Sequence, residues 1–303
     1  DGCRKGLKEK VMKVTAIGGG TGLSATMCAL YSIEGIDLSA VVATTDNGGS
    51  TGAIRRWANC IAWGDLRHVI NELSDMTLPT LQTLLFEHRF EKEEGELGGH
   101  SLGNIILRAL ETVAPRPQSA LDLVTHWLNI KARIIPMSEV PAELVAARGG
   151  QVVTGEEEVD EMDELPESLM IQPRVPGTQE AINAIEQAEL IVLGPGSVMT
   201  SVVPSLLVPD LAERLQRSKA KRVWVQNLGR EAGPMGTLTP AQLHEWLGEV
   251  LGFEYCDVVL SDESLDMSSL RVPVVQRPLQ DEIDPTHYGR EPLAAAFREF
   301  LYA

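Results

Sequence analysis

The chain has 303 residues, 44% of them hydrophobic and 23% charged, so it is long enough to bury a substantial core and is not predicted to be disordered. Its net charge of −17 and its aromatic content of 5% argue against the basic, ring-bearing surface that nucleic-acid binding requires. No apolar run reaches the roughly 20 residues that span a bilayer, and the four cysteines (Cys3, Cys28, Cys60 and Cys256) form no CxxC pattern, so we expect a cytoplasmic protein without membrane insertion, zinc or disulfides.

The first predicted strand and helix enclose a glycine-rich turn. Residues 1–12 are interpreted as an N-terminal extension, and residues 13–17 form a short apolar run typical of a buried strand. The turn that follows consists of Gly18, Gly19, Gly20, Thr21 and Gly22. Its N–H groups would lie at a helix N-terminus and favour a phosphate group, although a turn needed only for close packing remains an alternative. The third glycine of a GxGxxG fingerprint is replaced by Leu23, which disfavours a nicotinamide-dependent oxidoreductase.

A second polar loop follows the β-rich run at residues 38–44. Its candidate ligand-binding residues are Asp46, Asn47, Gly48, Gly49, Ser50 and Thr51. Asp46 is suited to accept hydrogen bonds from ribose hydroxyls or to hold a divalent cation, whereas Ser50 and Thr51 are equally suited to cap the next helix. Arg55 and Arg56 either offset ligand charge or lie on an exposed helix face.

A histidine-containing loop at residues 97–104 precedes a further apolar helical run. Its His100 and Asn104 are further candidate ligand-binding residues, and we expect them to face the same loop region. The other five histidines show no metal-ligand spacing around His100, so the sequence predicts no zinc site. A structural role and a general-base role both remain open for His100.

The pattern of predicted secondary structure changes between residues 131 and 176, where short strands replace the alternation of strands and helices. Residues 132–136, 143–147 and 151–154 resemble short antiparallel strands, so we interpret the whole stretch as a small β insert. Eight carboxylates in residues 156–167 predict a solvated surface segment, with an acidic metal-binding loop as the alternative.

Three further apolar runs, at residues 190–193, 223–225 and 258–260, end in polar or glycine-rich loops. The candidate ligand-binding residues in the first two of these loops are Gly194, Gly196, Ser197, Thr200, Asn227 and Arg230. Continuous apolar runs separated by helical segments indicate parallel strands covered on both faces. The sequence therefore predicts an α/β, Rossmann-like, doubly wound and mainly parallel sheet, formed by residues 13–130 and 177–303. Its ligand is expected at the carboxyl ends of the strands.

Five motifs, in this order along the chain, resemble the YvcK family, which shares a Rossmann-like fold with the CofD transferases. The motifs are Gly18-Gly19-Gly20-Thr21-Gly22, Thr45-Asp46-Asn47-Gly48-Gly49-Ser50-Thr51-Gly52, Gly64-Asp65-Leu66-Arg67, Gly99-His100-Ser101-Leu102-Gly103-Asn104 and Gly194-Pro195-Gly196-Ser197. The resemblance extends from about residue 13 to the final helix. It implies a regulatory protein of the gluconeogenesis factor type that binds a UDP-sugar, such as UDP-N-acetylglucosamine, with no cofactor required for binding.

The resemblance also implies links to central carbon metabolism, cell-wall precursor supply and cell shape. The expected partners are the UDP-sugar, an enzyme of cell-wall precursor supply and further copies of this chain in a homo-oligomer. Neither a nucleic acid nor a membrane is an expected partner.

Two departures from the family pattern affect the choice between binding and catalysis. Related transferases carry paired carboxylates at the second loop to hold Mg²⁺, whereas Asp46 is followed by Asn47. Many relatives have Arg-His-Asp near the C-terminus, where this chain has Thr286-His287-Tyr288, and Arg290 is the candidate substitute.

We therefore expect a non-catalytic UDP-sugar sensor. The alternative is a Mg²⁺-dependent transferase that moves a phosphate-linked group from a nucleoside diphosphate donor. In that case Asp46 and His100 are the candidate catalytic residues, and Asp46 is the candidate metal ligand.

Overall fold

The computed structural model of the chain describes residues 11–76 and 80–302, and the ten strands in these residues form two sheets. The strands are Met12–Gly18 (β1), Ile36–Val42 (β2), Arg133–Pro136 (β3), Glu143–Arg148 (β4), Gln151–Thr154 (β5), Ser168–Gln172 (β6), Leu190–Leu193 (β7), Lys221–Val225 (β8), Val258–Asp262 (β9) and Val274–Arg277 (β10). The larger sheet has the order β3-β2-β1-β7-β8-β9-β10 with every neighbouring pair parallel, and the smaller one is antiparallel with the order β5-β4-β6. The predicted N-terminal extension lies almost entirely outside the described residues.

Helices cover both faces of the larger sheet. They are Gly20–Tyr31 (α1), Gly49–Arg55 (α2), Gly64–Asp75 (α3), Leu81–Glu87 (α4), Leu102–Val113 (α5), Pro117–Trp127 (α6), Glu156–Asp160 (α7), Gln179–Gln187 (α8), Val203–Leu207 (α9), Pro209–Arg217 (α10), Pro240–Leu251 (α11) and Arg290–Tyr302 (α12). One core packs α1, α3, α6 and α12 against the sheet, and the other packs α8, α10 and α11 against it. None of the described helices is both long and apolar enough to cross a bilayer. Coverage of both faces explains why the strands read as continuous apolar runs.

The strand order of the larger sheet reverses at β1, which pairs with β2 on one side and with β7 on the other. β2 and β3 extend the sheet in one direction, and β7 to β10 extend it in the other. Open α/β sheets bind ligands outside the carboxyl ends of the strands at such a switch point. The predicted Rossmann-like, doubly wound fold is confirmed. Its switch point lies between the loop that starts at Gly18 and the loop that starts at Gly194.

The prediction that residues 132–136 form an antiparallel strand of the insert was wrong, because β3 pairs in parallel with β2 at the edge of the larger sheet. Its Ile134 and Ile135 are 1% and 0% exposed, so both faces of the strand are covered, as in the rest of that sheet. The third strand of the smaller sheet is β6 instead. Its buried Leu169 and Ile171 alternate with exposed residues, a period-two pattern that the sequence analysis missed.

Candidate ligand-binding site

A cleft of about 630 Å³ lies at the carboxyl ends of β1, β7 and β8, and we call it the central cleft. Its walls are the first turns of α1, the loops after β7 and β8, and residues 281–290 near the C-terminus. The residues predicted from the sequence that line it are Thr21, Gly22, Gly196, Asn227, Arg230 and Arg290. The lining residues that the sequence analysis did not single out include Cys28, Glu72 and Met76, which face the cleft from α1 and from the region of α3.

The first glycine-rich loop places the N-terminus of α1 at the central cleft. Gly20 begins the helix with a φ of +59°, a conformation that favours glycine. The N–H groups of the first turn, including those of Thr21 and Gly22, have no intrahelical acceptor. A Cβ atom at Gly22 would overlap the carbonyl group of Pro195, so glycine lets the loops after β1 and β7 approach each other. Free N–H groups and the helix dipole make this end of α1 suited to an anion.

The loop after β7 has an unusual backbone and is tied to the loop after β8. Gly194 and Gly196 have φ angles of +73° and +135°, and the Gly194–Pro195 peptide bond is cis. The N–H of Gly196 donates to Oδ1 of Asn227 at 2.9 Å, and Nδ2 of Asn227 donates to the Gly196 carbonyl at 2.8 Å. Asn227 therefore forms hydrogen bonds with both the N–H and the carbonyl of Gly196 and connects the two loops.

Carboxylates accept further donors of the loop after β7. The Val198 N–H donates to Glu231 at 2.9 Å. The hydroxyls of Ser197 and Thr200 donate to Asp160 at 3.5 and 3.2 Å. Burial raises the pKa of both carboxyls, and these donors lower it. Several donors that the sequence analysis assigned to a ligand phosphate are thus satisfied within the protein.

Two arginines bring positive charge to the central cleft. Arg230 lies in the loop after β8, and Arg290 begins α12. Among the described residues, neither arginine lies within ion-pairing distance of a carboxylate. Tyr288 forms part of the same wall, and its hydroxyl donates to the Gln226 carbonyl. The α1 N-terminus and two unpaired guanidinium groups therefore share one cleft, where they can contact an anion, and the carboxylates of Glu72, Glu231 and Asp281 line the same cleft.

The second loop follows β2 and runs into α2. Its predicted residues are Asp46, Asn47, Gly48, Gly49, Ser50 and Thr51, and Gly49 begins α2 with a φ of +44°. Asp46 accepts the Gly48 N–H at 2.7 Å. Oδ1 of Asn47 accepts the N–H groups of Glu156 and Glu157, both at 3.0 Å, and so caps the N-terminus of α7. Asn47 therefore connects the second loop to the insert.

Arg55 holds the second loop against the insert. Its guanidinium donates to the carbonyls of Thr45 and Asp46 at 3.0 and 2.9 Å. It also forms an ion pair with Glu143 of β4 at 2.8 Å, and the arginine side chain is only 8% exposed. Arg56 is exposed, and neither arginine lines the central cleft. The role of Arg55 is thus to fix the loop that carries Asp46.

The histidine-containing loop contacts the second loop. Nδ1 of His100 lies 3.1 Å from Oγ of Ser50. The helix-capping interpretation of Ser50 and Thr51 was wrong, because Gly48 occupies the N-cap position of α2 and no side chain caps that helix. Asn104 is 2% exposed, and its Oδ1 has no hydrogen-bond partner among the described residues. These residues form a polar region outside the lining of the central cleft.

The acidic wall is our name for four carboxylates that the sequence analysis did not group. They are Asp46, Asp65, Glu156 and Asp160. Asp65 in the first turn of α3 lies against the first glycine-rich loop, since a Cβ atom at Gly19 would overlap its carboxylate. The prediction that residues 156–167 form a solvated segment holds for seven of its eight carboxylates, which are exposed, and fails at Glu156, which is partly buried at the start of α7 and accepts the Thr45 hydroxyl. Asp160, at the other end of α7, is exposed and accepts the Thr200 hydroxyl. The described residues hold no group of three or more His, Cys, Asp or Glu side chains arranged for a metal ion.

Crowding of the acidic wall changes its protonation. Burial and the charge of Asp46 raise the pKa of Asp65 to about 7, although the Gly20 N–H hydrogen-bonds this carboxylate and lowers the pKa. Burial and the charge of Asp65 raise the pKa of Glu156 well above its ordinary value, and the Thr45 hydroxyl donates to Glu156. Asp65 and Glu156 therefore retain a proton to a higher pH than ordinary carboxyls do, and they act only as acceptors at a pH at which both are ionised.

The fold and the cleft define a doubly wound α/β protein of the Rossmann-like type. The sequence profile of the family described as 2-phospho-L-lactate transferase CofD matches residues 14–294. The chain therefore belongs to the CofD family, and the predicted resemblance to its YvcK members is confirmed.

Relatives and a solved structure agree with this membership. Two proteins named "Putative gluconeogenesis factor", from Pasteurella multocida and Vibrio cholerae, are 40% and 42% identical to this chain. The alignments cover 97% and 95% of this chain, and 95% and 97% of the relatives. The crystal structure of a UPF0052 family member from Bacillus halodurans matches with a TM-score of 0.86 at 27% identity, over 93% of this chain and 97% of that chain.

Proposed function

We propose that this chain is a cytoplasmic regulator that binds a UDP-sugar, of the UDP-N-acetylglucosamine type, in the central cleft. The observation that carries the proposal is the presence of the α1 N-terminus, Arg230 and Arg290 in one cleft at the switch point of the sheet. Helix N-termini and guanidinium groups are the two devices that proteins commonly use to bind phosphate groups.

The size and chemistry of the site support this ligand class. A volume of about 630 Å³ is within the roughly 300–1,000 Å³ of typical small-molecule pockets. The diphosphate of a UDP-sugar complements the α1 N-terminus and the arginines, whereas ribose and sugar hydroxyls can donate to nearby carboxylates. Binding of this kind needs no metal and no turnover, so it fits a regulator.

The regulatory part of the proposal is supported by family membership. Relatives that share 40% or more of their residues with this chain carry the gluconeogenesis factor name. We extend this role to cell-wall precursor supply and cell shape, with a partner enzyme and a homo-oligomeric state. In a strain that lacks its own family member, the chain should restore growth on a gluconeogenic carbon source, and the double variant Arg230→Ala/Arg290→Ala should not. If the double variant restores growth equally well at equal protein level, the growth function does not depend on ligand binding in the central cleft.

Ligand binding is tested most simply by thermal unfolding with UDP-N-acetylglucosamine, with UMP and NAD as comparison ligands. At about 100 times the dissociation constant, binding adds roughly 2.7 kcal/mol to the free energy of unfolding. We expect a clear rise in Tm with the UDP-sugar and a smaller one with UMP. The absence of any Tm shift at millimolar UDP-sugar would refute the proposal. A larger Tm shift with NAD would indicate a dinucleotide ligand instead of a UDP-sugar.

A Mg²⁺-dependent transferase is the second candidate, and the acidic wall is the observation that favours it. The sequence left Asp46 without a second carboxylate beside it, but the fold brings Asp65 and Glu156 near. Asp46 and Asp65 are the residues suited to hold Mg²⁺, which would neutralise charge on the phosphates of a nucleoside diphosphate donor. His100, next to Ser50, is then the candidate proton acceptor.

Turnover separates the two candidates, because both use the same region. UDP-N-acetylglucosamine is incubated with the protein, Mg²⁺ and hydroxyl compounds as acceptors, and a parallel sample has water as the sole acceptor. Release of UMP or UDP, which accompanies transfer of the remaining group to the acceptor, is followed by chromatography. The sensor proposal predicts intact ligand after saturating binding. Mg²⁺-dependent release that is lost in Asp65→Asn, while Asp163→Asn retains it, would favour the transferase.

A further inference from the structure

The acidic wall begins where the first glycine-rich loop ends. Asp65 contacts this loop at Gly19 and Gly20, and the loop continues into the α1 turn that lines the central cleft. A group attached to a phosphate at this turn and directed toward β2 would therefore approach the carboxylate of Asp65. The charge that such a group carries then matters.

Little positive charge offsets the wall. Arg67 is the cation whose charge acts on Asp65, but the charge of Asp46 acts on it in the opposite direction. Arg55 is already engaged by the carboxylate of Glu143. Carboxylates outnumber cations in this region, so an additional anion would be repelled.

Two buried neutral oxygens, on Asn104 and Ser101, also lack a hydrogen-bond donor among the described residues. Asn104 lies in the first turn of α5, where its neighbour Gly103 packs against the side chain of Arg67. Its buried Oδ1 is an acceptor without a partner among the described residues. The hydroxyl oxygen of Ser101, which is 1% exposed, is also buried without a hydrogen-bond partner among the described residues. A buried acceptor without a donor is costly, and a ligand hydroxyl would satisfy it.

We propose that the acidic wall makes the site selective for UDP-sugars with an uncharged sugar and rejects those whose sugar carries a carboxylate. When the wall is ionised, the sugar hydroxyls donate to its carboxylates and to the unpartnered oxygens, whereas a sugar carboxylate faces like charge. Arg67, whose buried Nε also lacks a partner among the described residues, is one cation against several carboxylates and offsets that charge only in part. The inference rests on the proposed UDP-sugar binding, and it names the residues that decide which sugar is accepted.

UDP-glucose and UDP-glucuronate form a matched pair for the test, because they differ only at C6 of the sugar. C6 is a hydroxymethyl group in UDP-glucose and a carboxylate in UDP-glucuronate. Both are titrated by calorimetry at pH 8 with a chelator present, so that no divalent cation neutralises the wall. We expect the dissociation constant for UDP-glucuronate to be at least about tenfold higher, from the repulsion between like charges at short range.

Variants assign the selectivity to the wall. In the double variant Asp65→Asn/Glu156→Gln, the ratio of the two dissociation constants should fall toward one, chiefly because UDP-glucuronate binds better. Asp163→Asn removes one charge from the exposed part of the same acidic segment and should leave the ratio unchanged. Single variants at Asp65 and Glu156 serve if the double variant does not fold.

The outcomes separate this inference from the proposal on which it rests. If neither UDP-sugar binds, the proposed function fails. If both bind with equal affinity, or if UDP-glucuronate binds better, the function stands and the selectivity inference is overturned. A change of the ratio in Asp163→Asn as large as in the double variant would also overturn it, because general charge rather than the wall would then be responsible.

Discussion

The loops after β1 and β7 look alike in sequence but differ in the structure. Each is rich in glycine, follows a buried parallel strand at the switch point and leads into a helical turn. In the loop after β7, the N–H groups of Gly196 and Val198 already donate to Asn227 and Glu231. In the loop after β1, the first turn of α1 lines the central cleft with N–H groups that lack intrahelical acceptors. Donors without an intrahelical acceptor, rather than the number of glycines, therefore favour the loop after β1 as the proposed phosphate site.

The two loops should respond differently to substitution. Changes around the loop after β7 break internal hydrogen bonds and should act mainly on stability. Changes to the arginines of the central cleft should act mainly on ligand affinity, whereas Asp65, a carboxylate packed against the loop after β1, should act on stability.

Asp65 is the acidic neighbour of the loop after β1, and its removal should change stability most. Its pKa is about 7 in the folded chain, against 3.8 for an ordinary aspartate. Asp65 therefore binds a proton more tightly in the folded state, so its contribution to stability falls as the pH rises from about 4 to about 7. Asp65→Asn should raise the free energy of unfolding at pH 8 by up to about 4 kcal/mol, and the gain should vanish near pH 4.

Urea unfolding at several pH values, in the presence of a chelator, measures this difference. Asp163→Asn, at an exposed position of the acidic segment, is the control and should show little pH-dependent change. A gain that is constant across this pH range would show that burial of the Asp65 charge is not its source.

Gly22→Ala tests the contact between the two loops. The new Cβ would overlap the Pro195 carbonyl and lie 2.6 Å from the Gly196 nitrogen, and these backbone atoms cannot move without shifting the loop. We expect a loss of about 2–3 kcal/mol in stability, together with weaker UDP-sugar binding. Gly248→Ala in α11 is the matched control, because its Cβ would meet open space, and it should be neutral or stabilising. Equal stability of the two variants would show that the loops do not constrain each other.

Asn227→Ala tests whether this residue is structural. It leaves both polar groups of Gly196 without their partner, which should cost about 1–3 kcal/mol of folding free energy. The affinity per folded molecule for UDP-N-acetylglucosamine should fall by less than about tenfold, as measured by calorimetry beside urea unfolding. Unchanged stability with complete loss of binding would instead assign Asn227 directly to the ligand.

Arg230→Ala should weaken UDP-sugar binding by about tenfold, or about 1.4 kcal/mol, without changing stability. Arg230 is unpaired among the described residues, so its removal breaks no ion pair of the folded chain, and the lost affinity should shrink as salt concentration rises. Arg217→Ala on α10, an exposed arginine paired with Glu213, is the control. Equal effects of the two variants would indicate that only the net charge of the protein matters.

Much of the fold was predictable because local patterns carry it. Buried runs such as residues 190–193 and the turns after them identify parallel strands. The loops after β1, β7 and β8 were correctly predicted to lie near one another. The sheet that contains β3 was not predictable in the same way. β3 has only two aliphatic residues, Ile134 and Ile135, between a charged residue and a proline, whereas all four residues of β7 are aliphatic, so the pattern of β3 does not show whether one or both faces are covered.

The acidic wall was not predictable, since its members meet only through long-range contacts. Glu156 reaches Thr45 across 111 residues, and Asn47 finds its role only where it caps α7. The absence of a carboxylate next to Asp46 in sequence was therefore a poor guide to its surroundings. Asp65 belonged to a recognised motif, but nothing in the sequence placed it against Gly19.

We expect ligand phosphates to bind at the α1 N-terminus and not at the loop after β7. Backbone ¹H–¹⁵N spectra of the protein titrated with UDP-N-acetylglucosamine test this most directly, because each amide reports its own hydrogen bond. The account predicts the largest shifts at Thr21 and Gly22, with small shifts at Gly196 and Val198, whose N–H groups keep their internal acceptors. The largest shifts at Gly196 and Val198, with Thr21 and Gly22 unchanged, would contradict it.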